Sequence, residues 1–261
     1  SIGWNPNRIS KKTDALILGM HAQADNPELQ EAIKLGIKKI SFPEYIYEQS
    51  RNKQRVVIGG SHGKTTITAM IMHVLKKCNA DFDYLVGSQI KGFETMVKIS
   101  NAPLIVIEGD EYLSSVLDKR PKFHLYNPHI ALISGIAWDH INVFPTFENY
   151  KEQFSIFIDK IEKGGTLVYY GDDNLLNAMC KLKNLEKIAY AQPDYEIKDG
   201  KTIVHTSSGK IELNILGRHN LQNMEGARVI CNKLHVTNDE FYNCIRDFSG
   251  AAKRLEKIAE N

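Results

Sequence analysis

The chain has 261 residues, of which 43% are hydrophobic and 25% charged, with a formal net charge of +2; this fits one large or two ordinary globular domains with a real core. A charge so near neutrality gives no support to nucleic acid or a membrane surface as partner, and no apolar run approaches membrane-spanning length. The four cysteines (Cys78, Cys180, Cys231, Cys244) form no CxxC pair and the N-terminus lacks a signal-peptide pattern, so free thiols in a reducing, cytoplasmic compartment are expected.

Strand-like and helix-like segments alternate nearly throughout, which argues for the α/β class, with layers around a mostly parallel sheet. Ala15–Gly19 reads as a strand, and Asn26-Pro27 opens a helix to about Leu35. Lys39–Phe42 is a second short strand, and Pro43 starts another helix; proline in the first turn suits both helices. These residues look like the tail of a Rossmann-like domain without its glycine-rich fingerprint. The chain starts on Ser1-Ile2-Gly3 with no methionine, as a piece of something longer would. A polar segment, Gln49–Gln54, bridges to a third strand.

Residues 55–66 read Arg-Val-Val-Ile-Gly-Gly-Ser-His-Gly-Lys-Thr-Thr. An apolar strand empties into a glycine turn, and Ile67, Met70, Ile71, Val74 and Leu75 then fall at helical spacing. This is a P-loop pattern in a shortened form, since Ile58 stands where the strict pattern has glycine. Gly60 and Gly63 let backbone N–H groups turn toward phosphate oxygens at a helix N-terminus. Lys64 can reach the β- and γ-phosphates, and the Thr65 hydroxyl can hold Mg²⁺. An ordinary glycine turn is the plain alternative.

Further strands are expected at Tyr84–Gly87, Leu104–Glu108 and Ile130–Ser134. The second ends in Glu108-Gly109-Asp110-Glu111, and ligands of open α/β sheets gather outside the carboxyl ends of strands. Carboxylates there can complete a Mg²⁺ shell with Thr65, or simply cap the next element. The third leads into Trp138-Asp139-His140, so His140 can bind a second divalent ion or contact phosphate directly, with Asp139 as its orienting neighbour. Thr146–Glu162 reads as an amphipathic helix, Thr166–Tyr170 as a strand, and Tyr195–Ile215 as a small β meander. Two helices close the chain, His219–Leu234 and one from Thr237, whose Glu240 three residues on fits a capping box. His219, Asn220 and Asn223 cluster in the first turn of the former, where Asn amides suit an adenine edge or a helix cap.

Gly-Ser-His-Gly-Lys-Thr-Thr, Glu-Gly-Asp-Glu-Tyr, Trp-Asp-His and Gly-Arg-His-Asn-Leu-Gln-Asn, in this order, resemble the Mur ligase family, the ATP-dependent amide-forming enzymes of peptidoglycan assembly. The stretches Asp118–His124 and Asp139–Pro145 are most similar to the branch joining L-alanyl-γ-D-glutamyl-meso-diaminopimelate to UDP-N-acetylmuramate; the branch adding L-alanine is the nearest alternative. The resemblance implies ATP and Mg²⁺ as cofactors and UDP-N-acetylmuramate plus a peptide or amino-acid amine as partners, joined through an acyl phosphate. It implies residues 1–53 as the C-terminal part of a UDP-sugar-binding Rossmann-like domain and 54–261 as the central ATPase domain. The stretches Phe248–Gly250 and Lys253–Glu256 resemble the end of that domain. The family's third, amine-carrying domain is expected to be missing and the piece alone not to complete ligation.

By the same resemblance, Gly60, Ser61, His62, Gly63, Lys64, Thr65 and Thr66 surround the ATP phosphates. Glu108 is the metal glutamate with Glu111 as alternative, and His140 the second-metal histidine. His219, Asn220 and Asn223 lie at adenine, and Arg254 near the phosphates. Lys64, Glu108 and His140 would be the catalytic set. Leu113 and Ala137 stand where relatives usually carry acids, so acidic support around the metals is expected to be thinner, and no lysine is assigned as the modified lysine of some members. A P-loop regulatory module without ligase activity is the alternative of another class.

Overall fold

The protein is described here by a computed structural model covering residues 3–248, so Arg254 and the Lys253–Glu256 stretch lie outside the described residues. Two short parallel strands, β1 (Ala15–Leu18) and β2 (Lys38–Ser41), are connected by α1 (Pro27–Lys34). The Asn26 side chain accepts from the amides of Glu28 and Leu29, and Pro27 comes next, so the helix starts where cap and proline agree. Helix α2 (Phe42–Gln49) begins before the expected proline. Ser41 forms a capping box with Glu44, worth about 1 kcal/mol, which takes Phe42 out of the strand and into the first turn. Ile46 of α2 is fully buried in one core with Val57, Ile105 and Phe123, so α2 packs against the large sheet of the molecule.

That sheet is laid down by β3 (Gln54–Gly59), α3 (Lys64–Lys77), β4 (Asp83–Leu85), β5 (Val97–Lys98), β6 (Leu104–Glu108), β7 (Ile130–Ile133), α4 (Phe147–Asp159), β8 (Thr166–Tyr170), α5 (Asn174–Lys181) and β9 (Glu186–Tyr190). Its order is β5-β4-β6-β3-β7-β8-β9, and every pairing is parallel except β4 with β5. The strand expected to reach Gly87 leaves the sheet at Leu85, because the Val86 amide bonds Met96 O and the Gly87 amide bonds the Glu108 carboxylate. An antiparallel meander of β10 (Tyr195–Lys198), β11 (Lys201–Thr206) and β12 (Gly209–Leu213) comes next, then α6 (Arg218–Lys233) and α7 (Asn238–Ile245). Thr237 and Glu240 make the capping box expected for the last helix.

Both faces of the sheet are covered, which is why its inner strands read as unbroken apolar runs. Val56 and Ile58 of β3 point into one core with Met70 of α3, Met224 of α6 and Phe241 of α7. Val57, between them, points into the other with Phe123, Phe154 and Phe157. Strand β3 lies between β6 on one side and β7 on the other, so the chain switches sides there. The loops after β3, β6, β7 and β8 leave the same edge of the sheet, where such folds hold their ligands. Among the described residues no helix is long and apolar enough to cross a membrane.

Candidate functional site

The glycines after β3 are fixed by geometry. Gly60 has φ +123°, and a Cβ there would lie 2.2 Å from Ser134 Oγ and 2.8 Å from Ser134 N. Gly63 has φ +81°, and its Cβ would lie 2.3 Å from Asn223 Oδ1. Both positions therefore exclude side chains twice over, by conformation and by space. The loop is pinned to the segment after β7, since the Ser61 amide donates to Gly135 O at 3.0 Å and Ser134 Oγ donates to His62 O. Helix α3 starts at Lys64 with Gly63 as its cap, and no side chain satisfies the first-turn amides. A glycine loop entering an uncapped helix start is an anion site by construction.

Charged groups crowd beside it. Lys64 Nζ donates to Gly60 O at 2.7 Å and to Glu111 Oε1 at 3.1 Å; Glu111 Oε2 is 2.8 Å away as an ion-pair distance but is outside hydrogen-bonding geometry. Thr65 Oγ1 donates to Glu108 Oε1 at 2.7 Å, and the Gly87 amide holds Glu108 Oε2 at 2.8 Å. Glu111 is fully buried, with His140 Nε2 3.5 Å from its Oε1 and the Tyr150 hydroxyl at 3.1 Å. Burial, then the neighbouring Glu111 carboxylate, push the Tyr150 phenol far above its ordinary range, so it stays protonated and donates. His140 sits at φ +53°, its amide donating to Asp139 Oδ1 at 2.6 Å and its ring edge-on to Tyr112 with centroids 5.0 Å apart. Asp110, Glu111 and His140 each offer a ligand atom, all within 4.8 Å of one another. Burial alone would raise the Asp110 carboxyl, but Lys122, 2.5 Å away, and the Tyr112 amide outweigh it and keep it below the ordinary carboxylate range. Hard oxygens with one imidazole are a donor set for a divalent cation.

Behind the loop lies a cavity of about 630 Å³. Residues 61–63 form one wall, residues 134–137 another, and Tyr170, Asp173 and the first turns of α6 the rest. The Asp173 carboxylate both caps α5, through the Leu176 amide at 2.9 Å, and accepts from the Ile136 amide at 2.9 Å. Gln222 Nε2 donates to Ser134 O at 3.3 Å, joining α6 to the β7 exit. His219 and Asn223 line the cavity. Asn220 does not; its Nδ2 turns back to Leu216 O at 2.8 Å, and Thr66 also lies outside the lining.

Residues 58–231 match the Mur ligase middle domain. The chain belongs to the Mur ligase family. A UDP-N-acetylmuramate–L-alanine ligase of Caldicellulosiruptor saccharolyticus is 31% identical over 99% of the chain and 58% of that protein. A solved murein peptide ligase from Psychrobacter arcticus superposes with TM-score 0.83 at 19% identity, over 98% of this chain and 60% of that one. The UDP-N-acetylmuramate:L-alanyl-γ-D-glutamyl-meso-diaminopimelate ligase of Neisseria meningitides gives TM-score 0.82 at 22% identity, over 94% and 82%. These two likenesses are of fold. The chain spans a little under three-fifths of the length of the curated relatives it matches, 58% and 56% for two of them.

Within this Mur ligase domain the structure brings Lys64, Thr65, Glu108, Glu111 and His140 to one edge and His62, His219 and Asn223 to the adjoining cavity. Sequence reasoning gave no site role to Tyr150, Tyr170, Asp173 or Gln222, and it held Asp110 only as one of the acids at the end of its strand, not among the chosen ligands. Asp110 stands with Glu111 and His140 in the cluster. It supplies the acidic oxygen that Leu113 and Ala137 do not. Asp173 had a readable signal, an acid three residues before Leu176 at a helix start. Tyr150 had none, because in its helix it reads as one more apolar position.

Proposed function

We propose that this chain carries the nucleotide-binding part of a ligase that joins an amine to the carboxylate of UDP-N-acetylmuramate with ATP and Mg²⁺. One observation supports it above the others: a loop that only glycine can form, continuing into Lys64 and Thr65, faces Glu108, Glu111 and His140 in a chain of the Mur ligase family. The residues fit these groups, since the two glycines leave room where any Cβ would clash and the buried Glu111 Oε2 has no hydrogen bond. Bound ATP would supply the phosphoryl group that activates the carboxylate, and Mg²⁺ would offset the charge that gathers there.

The protein's own part is positioning and electrostatics. Amides of the loop and of the α3 start hold phosphate oxygens, and Lys64 exchanges Gly60 O and Glu111 for them. Thr65 with Glu108, and Glu111 with Asp110 and His140, hold cations. Asn223 offers its amide to the base, and Gln222 keeps the wall against which the base lies. Asn220 would bind adenine only after giving up Leu216 O, and Arg254 keeps its proposed place near the phosphates. Residues 1–53 would belong to the UDP-sugar part of the protein and 54–261 to the ATP part.

The stretches Asp118–His124 and Asp139–Pro145 support a tripeptide as the amine. L-alanine is the second reading, favoured by the activity that names the sequence relatives. Calorimetric titration with a non-hydrolysable ATP analogue and Mg²⁺ tests the common ground. Binding that is lost in Lys64→Ala supports the site, and no binding to the folded wild-type chain overturns it. Phosphate release by the protein that carries this chain, with UDP-N-acetylmuramate and either amine, then decides the substrate. Release that ignores the UDP sugar would favour the regulatory module instead.

A further inference from the structure

We propose that Tyr150 is a positioning residue whose hydroxyl ties the phosphate loop to the cation cluster; this deepens the proposed nucleotide site and rests on it. Tyr150 is fully buried on α4, a helix whose other buried side chains are Phe154, Phe157, Ile158 and the amide Gln153. Its ring packs against Phe144 and Phe154, with centroids 5.5 Å and 5.2 Å away, which fixes where the hydroxyl sits. That hydroxyl is 2.9 Å from Ser61 Oγ in the loop and 3.1 Å from Glu111 Oε1 in the cluster.

The direction of every bond in this chain is determined. The Ala137 amide can only donate, and it donates to Ser61 Oγ at 2.8 Å. The Glu111 carboxylate, ion-paired with Lys64, can only accept, so Tyr150 gives it the phenolic proton. Ser61 therefore donates to the phenolic oxygen. The order is Ala137 N–H, Ser61 O–H, Tyr150 O–H, Glu111 carboxylate, with no donor left over.

A phenylalanine at 150 would fill the same volume, so packing alone does not call for the hydroxyl. What the hydroxyl does is share Oε1 of Glu111 with Lys64, on the side where His140 Nε2 lies 3.5 Å away, and so help set the carboxylate plane. Oε2, 2.8 Å from Lys64 Nζ, stays outside hydrogen-bonding geometry in a cluster completed by Asp110. Groups that orient a metal ligand through one hydrogen bond change metal affinity about 10- to 100-fold when removed. Ser61 has its own backbone anchors at Gly135 O and Ala137 N, so loss of the phenol falls on the cation side.

The test is Tyr150→Phe, with Mn²⁺ alone as probe, read by the electron-paramagnetic signal of the free ion. A second titration uses a non-hydrolysable ATP analogue in chelator. The expected result is an increase of about 10-fold in the Mn²⁺ dissociation constant. Analogue binding should change less than about two-fold and the melting temperature by only a few degrees. Ser61→Ala should weaken Mn²⁺ in the same direction, and the double variant should add little to Tyr150→Phe, because both act through one chain of bonds. Unchanged Mn²⁺ affinity in both single variants, with wild type binding Mn²⁺ and analogue, overturns this inference and leaves the nucleotide site standing. A folded wild type that binds neither probe overturns the nucleotide site and this inference together.

Discussion

The two halves of the site are built on opposite plans. On the cation side every charged group already has a protein partner: Lys64 holds Glu111, Thr65 holds Glu108, Lys122 holds Asp110 and the His140 amide holds Asp139. On the cavity side the polar groups shape the wall. Gln222 and Asp173 bond backbone atoms of residues 134–136, while the Asn223 amide and the His219 ring make no side-chain hydrogen bond among the described residues. A ligand entering the first half must exchange bonds, whereas one entering the second meets a preformed surface. Substitutions on the cation side should therefore cost stability and binding together, and those on the cavity side binding alone.

The largest effect is expected for Lys64→Ala. It removes the cation beside a fully buried carboxylate, and breaking such a pair destabilises by about 3 kcal/mol. Binding of the ATP analogue should fall by about 100-fold or more, as loss of a charge-assisted contact of about 3 kcal/mol implies. Adding Glu111→Gln to it should recover much of the melting temperature and none of the affinity, which thermal melts and calorimetry would separate. Gly63→Ala comes next. Its Cβ would meet Asn223 Oδ1 at 2.3 Å and its φ of +81° is foreign to alanine, so about 1–3 kcal/mol of stability should be lost along with tight binding. Asn223→Ala sharpens the contrast from the other side. Analogue affinity should drop about 10-fold, the worth of one or two hydrogen bonds, with the melting temperature and Mn²⁺ affinity nearly unchanged. If Asn223→Ala melted as early as Lys64→Ala, the distinction between the halves would be wrong.

The same division governs what was legible in the sequence. The cation side is written in consecutive residues: the loop 59–66 and the acids 108–111 each succeed an apolar strand, and a parallel sheet must bring those strand ends together. The cavity wall is assembled from single residues of separate elements, and no spacing relates Tyr170, Asp173 and Gln222. Strand β9 and helix α5 were invisible for a related reason. In Glu186–Tyr190 only Tyr190 is buried, because β9 is an edge strand, so no apolar run marks it. Helix α5 has only eight residues and buries Leu176 and Cys180, too short for a clear period. The meander and the last helix were readable because turn residues and the Thr237–Glu240 cap are local chemistry. Helix α6, which has no side-chain cap, was readable from its buried stripe of Met224, Ala227 and Ile230.

The smallest expected effect concerns pH and the support beneath the cation side. His124 lies in a single 3-10 turn, Lys122–Leu125, with its Nε2 2.8 Å from Gln153 O of α4 and its ring stacked on Phe123. Burial lowers its pKa, the bond to Gln153 O opposes this, and Lys160 and Arg120 add to the lowering, so the folded protein holds it neutral. The unfolded chain then takes up a proton before the folded one as pH falls. Stability from the neutral ring is complete above about pH 6.5 and declines below it, down to the lowered folded value. Melting temperature should accordingly fall between pH 7.5 and pH 5.5, and His124→Gln should flatten that slope. His129, also lowered by burial and then by Arg55, leaves a residual slope in the variant. Because α4 carries Tyr150, acid should weaken Mn²⁺ binding more in the wild type than in His124→Gln. The analogue in chelator should show no such difference. A His124→Gln protein with the wild-type melting slope would mean that this imidazole is not what couples proton uptake to α4.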